Sequence, residues 1–239
     1  MKQRRMCRTE ILLTGLLIGA ILLCILEIAD RCGRTPCRSA KVETAGHSVQ
    51  APELPPRIAL TFDDGPHPVN TEKLLDGLRE RGVHATFFLI GQSCETYPEV
   101  VEAICRDGHV IGNHTYSHLR LTEWNAESYV EELQKTNEII ASITGDDPCY
   151  MRPPCGYMNR KVESAMDLIP VLWTVDPLDW DTKNADNIVN RVLRDARDGQ
   201  IILMHDVYAS SVEAALRIVD ALTERGYEFV TVDEILHME

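Results

Sequence analysis

The chain has 239 residues, 44% of them apolar and 26% charged, which suits one large folded domain or two small ones rather than a disordered polymer. Its formal charge of -13 is unevenly placed: residues 1–41 hold eight Lys/Arg against three Asp/Glu, a net of +5, which leaves -18 for residues 42–239. A body so acidic lacks the clustered cations that neutralise phosphates, and no Walker or dinucleotide-binding glycine run is present, so nucleic-acid and nucleotide chemistry are not expected.

In chain order, Lys2, Arg4, Arg5 and Arg8 precede an uncharged apolar run over 11–26. A basic start followed by such a run is a secretory signal or a signal anchor. Glu27-Ile28-Ala29-Asp30 is a weak cleavage site, and Leu22-Leu23 before Cys24 argues against lipoprotein processing. The expectation is therefore an uncleaved transmembrane anchor within residues 1–30, in the cell membrane. The basic end would be cytoplasmic and the rest of the chain outside; a cleaved segment would release the protein instead. Residues 31–56, with Pro36, Pro52, Pro55 and Pro56 and no periodicity, read as a linker. Eight cysteines fit an exported protein without forming a dense framework; Cys32/Cys37, Cys94/Cys105 and Cys149/Cys155 are candidate pairs.

From residue 57 to 239 the chain reads as one domain. Apolar runs over 57–62, 84–90, 109–112, 149–152, 169–175, 200–204 and 227–232 predict seven strands. Helical spacing over 71–81, 129–143, 185–194 and 212–222 predicts helices between them. Repeated strand–helix alternation implies an α/β fold with a parallel sheet closed or nearly closed into a barrel, the alternative being a doubly wound open sheet. In such barrels chemistry gathers where strands end.

Polar residues fall at those ends. The first strand runs into Asp63-Asp64-Gly65-Pro66. Adjacent strand residues point to opposite faces, so two neighbouring acids can divide the labour, one holding a metal and the other moving protons. The third strand runs into His114-Thr115-Tyr116-Ser117-His118; a helical turn there would put both imidazoles on one face, able to grip one ion. The fourth ends in Arg152-Pro153-Pro154-Cys155-Gly156, the fifth in Asp176-Pro177-Leu178-Asp179-Trp180, and the sixth in His205-Asp206. Packing does not require five of seven strands to end this way.

Thr61-Phe62-Asp63-Asp64-Gly65-Pro66, His114-Thr115-Tyr116-Ser117-His118, Arg152-Pro153-Pro154-Cys155-Gly156, Asp176-Pro177-Leu178-Asp179-Trp180 and Leu203-Met204-His205-Asp206 resemble the five ordered motifs of the polysaccharide deacetylase family. This is the NodB-homology domain, carbohydrate esterase family four. The resemblance covers about residues 57 to 236. It implies a distorted (β/α)7 barrel and a metal-dependent hydrolase that removes N- or O-acetyl groups from a polysaccharide. Asp63 would be the general base, Asp64, His114 and His118 the metal ligands, and Arg152 the partner that holds Asp63. Asp179 would orient His205, the general acid, while Trp180 and Leu203 would wall the acetyl pocket. Cys155 departs from the family pattern, which usually has an aromatic residue there; its backbone N–H would still meet the oxyanion. Mixed nitrogen and oxygen ligands suit Zn first, with Co, Mn or Ni also accommodated. The expected substrate is peptidoglycan, with chitin-type oligosaccharides and acetylated xylan as alternatives. Two other classes stand beside this reading: a wall-anchored carbohydrate-binding protein on the same fold, and a glycoside hydrolase using two carboxylates without a metal.

Overall fold

The computed structural model describes residues 54–237, so the expected anchor and the linker up to residue 53 lie outside the described residues. No helix among the described residues is long and apolar enough to cross a membrane.

The strands are β1 (Arg57–Asp63), β2 (Thr86–Leu89), β3 (Val110–Asn113), β4 (Tyr150–Met151), β5 (Ile169–Pro170), β6 (Gln200–His205) and β7 (Glu228–Val230). The helices are α1 (Asn70–Arg81), α2 (Gly91–Thr96), α3 (Pro98–Arg106), α4 (Ala126–Thr144), α5 (Arg160–Glu163), α6 (Ala185–Asp195), α7 (Ala209–Glu224) and α8 (Val232–Leu236). All the strand pairings are parallel, and the sheet order is β5-β4-β3-β2-β1-β6, with β7 also on β1. Successive strands from β1 to β5 add in one direction, so the sheet is not doubly wound.

The sheet is curled, and its two edges are linked by a single bridge. Past β5 the chain returns to β6 through the Val175–Ile202 bridge, where the Leu203 N–H donates to the Val175 carbonyl at 2.9 Å. The seventh strand does not complete this circle. On β1, β6 takes one edge along 58–63, so β7 shares the other edge with β2: β7 pairs with 57–59 and β2 with 61–63. The result is a curled parallel sheet wrapped in helices, a barrel incomplete at β7.

Strand residues alternate between two cores, as the period-two rule demands. Ile58, Leu60 and Phe62 of β1, Phe87 and Leu89 of β2, and Ile202 and Met204 of β6 pack outward against Leu74, Leu78, Ile218 and Leu222 of the helices. Ala59, Phe88, Tyr150, Val171 and Ile201 form a smaller inward cluster with Val232. Thr61, Asp63, Leu203 and His205 follow the inward parity, and the register sets Thr61 against Leu203 and Asp63 against His205. A slip of one residue would send all four to the helix face.

Most predicted strands and helices recur with boundaries moved by a few residues. Three differences have local causes. The run over 169–175 is a strand only to Pro170, because the carbonyls of Val171 and Leu172 turn to accept from the Arg152 guanidinium. The strand expected over 227–232 stops at Val230, where the capping box of Thr231 and Glu234 starts α8. Helices α2 and α3 were not expected; Pro98 opens α3 at a first-turn position that needs no amide hydrogen. Cys94, Cys105, Cys149 and Cys155 are all free. The candidate pairs Cys94/Cys105 and Cys149/Cys155 are therefore not formed: Cys94 is enclosed in the helix-side core while Cys105 faces outward, and Cys155 turns to Arg120.

Gly112 of β3 marks where the interior is tightest. It is the register partner of Phe88, and a Cβ there would lie 2.5 Å from Phe88 Cδ1 and 3.2 Å from the Tyr150 carbonyl. The Arg152 guanidinium also lies over the Phe88 ring, 4.2 Å from its centroid, so the ring has little freedom to move. Gly112→Ala is expected to lower stability by about 1–3 kcal/mol, the usual cost of overpacking. Urea unfolding followed by circular dichroism measures this, and an unchanged midpoint would show that the interior yields.

Candidate active site

β1 delivers two carboxylates to one point by breaking its own regularity. Asp63 is the last strand residue and is buried facing inward. A regular continuation would turn Asp64 to the helix side, but Asp64 adopts a left-handed φ of 72°. Both acids consequently reach His114: its Nε2 lies 3.4 Å from Asp64 Oδ1 and 3.8 Å from Asp63 Oδ2. The following turn needs Gly65, because a Cβ would stand 2.6 Å from Oδ2 of fully buried Asp206. The hydroxyl of Thr71 donates to that same oxygen.

The two histidines are not on a helical turn, which corrects the expectation from their spacing. Residues 114–118 form an irregular loop with φ of 65° at Thr115 and 59° at His118. Side chains on α4 and β3 hold it open. Glu132 accepts from the N–H groups of Tyr116 and Ser117 at 3.1 and 2.8 Å and from the Ser117 hydroxyl at 2.6 Å. Asn113 Oδ1 accepts from the Thr115 N–H while its amide donates to the Leu133 carbonyl and Asn137 Oδ1. These bonds replace the intrahelical ladder, and the imidazole rings still converge, 5.1 Å between centroids.

His114 Nδ1 lies 2.7 Å from the Arg152 carbonyl. A carbonyl only accepts, so Nδ1 carries a proton and Nε2 is the nitrogen turned to Asp64. His118 Nε2 lies 3.4 Å from Asp64 Oδ1. One ligand atom from each of Asp64, His114 and His118 sits within 4.8 Å of the others. Asp64 Oδ1 is buried without a hydrogen-bond partner, a costly state for a carboxylate oxygen. Burial pushes the Asp64 carboxyl up, but the adjacent His114 and the charges of His205 and His118 hold it below its ordinary value. Burial also lowers His118. An anionic oxygen with no donor and two imidazole nitrogens are a donor set that fits a divalent cation.

Asp63 serves different neighbours. Arg152 is fully buried, and its Nη1 donates to Asp63 Oδ1 at 2.8 Å and to Thr61 Oγ1 at 2.7 Å. His205, the register partner of Asp63, is clasped by Asp179: its Nδ1–H and its backbone N–H each donate to one carboxylate oxygen at 2.8 Å. Asp179 is fully buried. Burial pulls His205 down, yet the Asp179 hydrogen bond and charge, with Asp63 and Asp64 behind them, lift it to about 9.

A cleft of about 400 Å³ opens over these groups and is lined by Asp63, Asp64, His114, His118, Cys155, Trp180, Leu203 and His205. Eight of the ten residues singled out from sequence thus face one space, and the other two, Arg152 and Asp179, work from behind Asp63 and His205. Trp180 is half exposed at the rim, Leu203 is buried in the wall, and Cys155 takes a left-handed φ of 61°. Arg120, Trp173 and Asp176 also line the cleft. Arg120 carried no signal separating it from a surface arginine, and Trp173 was counted within a strand run; Asp176 had been noted only as part of its motif.

Residues 50–171 match the family model described as polysaccharide deacetylase. Among curated relatives, the peptidoglycan-N-acetylmuramic acid deacetylase PdaC of Bacillus subtilis is 42% identical over 178 residues, covering 74% of this chain and 38% of its own. A peptidoglycan-N-acetylglucosamine deacetylase of Bacillus cereus is 39% identical over 214 residues, covering 87% of this chain and 77% of its own. The solved structure of the Bacillus subtilis peptidoglycan deacetylase PdaC superposes with a TM-score of 0.74 at 41% identity, covering 76% of this chain and 90% of that one. The chain spans about two fifths of the length of the first curated relatives it matches, 38% and 41%.

The Asp179 clasp has a measurable consequence. A folded-state pKa of about 9 for His205 exceeds the unperturbed value of about 6.5. Its contribution to stability is therefore complete below about pH 6.5 and lost as pH rises through about 9. In chelator-treated protein, Asp179→Asn is expected to lower the His205 titration by more than about one unit, read from its ring NMR signals. The same change should shrink the difference in stability between about pH 6 and pH 9.5. An unmoved titration would remove Asp179 as the cause.

Proposed function

Because the chain belongs to the polysaccharide deacetylase family, we propose that it is a metal-dependent hydrolase removing N-acetyl groups, and secondarily O-acetyl groups, from a cell-wall polysaccharide, first of all peptidoglycan. The observation that carries this reading is the convergence of Asp64, His114 and His118 on one point beside the register pair Asp63 and His205. The two curated relatives named above are peptidoglycan deacetylases, which favours that polymer for this chain. The basic and apolar N-terminal sequence favours an extracytoplasmic catalytic domain on a single-pass membrane anchor.

Asp64, His114 and His118 would hold the cation, zinc by their donor set or cobalt, manganese or nickel. Bound there, it supplies Lewis acidity to the acetyl carbonyl and to a water molecule. Asp63 takes a proton from that water as its oxygen bonds to the carbonyl carbon. Arg152 keeps Asp63 oriented through the bond to Oδ1. The Cys155 N–H meets the developing oxyanion, a donor worth roughly 3 kcal/mol in such sites. His205, protonated through the Asp179 clasp, gives a proton to the nitrogen as the carbon–nitrogen bond breaks, leaving acetate and a free amine. Trp180 and Leu203 enclose the acetyl methyl.

Neither rival reading gains from the geometry. A glycoside hydrolase needs two carboxylates free to flank a bond, whereas both oxygens of Asp179 are spent on His205. A binding protein would have no use for a lifted His205 facing an arginine-held Asp63.

The two adjacent acids separate the steps. Asp64→Asn should lose most bound zinc, measured by elemental analysis after dialysis, with activity partly recovered at excess metal. Asp63→Asn should keep zinc but release acetate from peptidoglycan about a hundred- to ten-thousand-fold more slowly. Equal zinc loss in both variants would show that the two carboxylates share one role.

A further inference from the structure

Arg120 is the single lysine or arginine lining the cleft among the described residues. Elsewhere on this strongly acidic surface, Arg57, Arg79, Arg81, Arg194 and Arg217 each lie on a carboxylate. Arg120 meets none among the described residues. Its Nε donates to Cys155 Sγ at 2.8 Å, which restrains the plane of the guanidinium at the cleft wall and leaves the two terminal amino groups without a hydrogen-bond partner among the described residues. A planar fork so held suits a carboxylate, which it can engage with two charge-assisted hydrogen bonds. The position is also informative. Arg120 follows His118 by two residues and touches Cys155, the residue whose N–H faces the reacting carbonyl in the reading above. Any partner of its free amino groups is therefore a substituent close to the acetamido group.

We propose that Arg120 is a specificity-determining residue that binds a carboxylate of the peptidoglycan repeat, so that the enzyme prefers an anionic muramyl glycan to a neutral one. The proposal rests on the deacetylase reading. The chemistry that satisfies it is the lactyl ether carboxylate, attached one ring carbon from the acetamido group of muramic acid, or a carboxylate of the stem peptide it carries. A neutral chitin-type chain offers Arg120 nothing. Cys155 has a part in this preference, since its thiol occupies the family's usual aromatic position and gives Nε its acceptor.

The test compares acetate release by the zinc-loaded full-length chain from three substrates: neutral chitooligosaccharides, glycan strands stripped of stem peptides, and strands that retain them. Arg120→Met should lower kcat/KM on the carboxylate-bearing strand, relative to the neutral oligosaccharide, by about ten- to a hundred-fold, as for loss of a hydrogen bond to a charged group. Arg120→Lys should restore part of the ratio. Added salt should weaken the preference of the wild type but not of Arg120→Met. A change in ratio confined to stripped strands assigns the lactyl group, and one confined to peptide-bearing strands assigns the stem; both support the proposal. Equal losses on neutral and anionic substrates would overturn it, as would a wild type without preference. If the wild type released no acetate from any substrate, the deacetylase reading would fail. Calorimetric binding of stripped strands to wild type and Arg120→Met would then still decide whether Arg120 holds a carboxylate.

Discussion

A fully buried guanidinium organises the interior of this domain. Arg152 reaches from the end of β4 to Asp63 and Thr61 on β1, to the carbonyls of Val171 and Leu172 beyond β5, and across the face of Phe88 on β2. Removing such a charge from water costs several kcal/mol, and only a dense set of partners offsets it. That demand explains otherwise unrelated features. β5 ends early because its continuing carbonyls turn to Arg152, and β3 carries glycine where Phe88 must lie flat. Thr61 passes the arrangement on, its hydroxyl donating to the Ile202 carbonyl on β6 at 2.6 Å. The base candidate Asp63 is therefore held by the same contacts that shape the sheet.

The loops above the sheet show the opposite character. The non-glycine residues with positive φ among the described residues are Asp64, Thr115, His118, Cys155 and Leu178. Each sits in, or next to, the group of residues facing the cleft. Left-handed backbone at a residue with a side chain costs on the order of 1–3 kcal/mol and persists only where surroundings enforce it. Here the enforcement is visible: Glu132 and Asn113 grip the histidine loop, and Asp206 receives the Asp64–Gly65 turn. Unfavourable conformation is thus concentrated where side chains must converge, and the regular sheet and helices beneath supply the stability that sustains it.

The two contrasted carboxylates of the site are Asp64 and Asp179. Asp64 is left with an oxygen that no donor satisfies, beside two imidazoles, a grouping that could hold a cation. Asp179 is satisfied on both oxygens by one histidine, which fixes the tautomer and charge of His205. Identical functional groups acquire different tasks from the donors around them.

Sequence alone determined the strand–helix alternation, the apolar residues of the helix-side core, and the placing of Asp63, His114, Arg152 and His205 at or just past strand ends. Those features follow from period-two and period-3.6 patterns, which are local and legible in any single chain. The order of the five motifs added the family resemblance and with it the roles proposed for these residues. Tertiary structure decided how they meet. His114 and His118 converge through a loop pinned by Glu132, not through the helical turn their spacing favoured. Asp64 joins Asp63 on one side because its own backbone turns left-handed. β7 shares an edge of β1 with β2 rather than closing the circle, and the four described cysteines stay free. Arg120 acquired meaning only beside Cys155. Each of these outcomes depends on a contact between residues distant in the chain, and no local pattern records which distant donor will reach a given backbone amide.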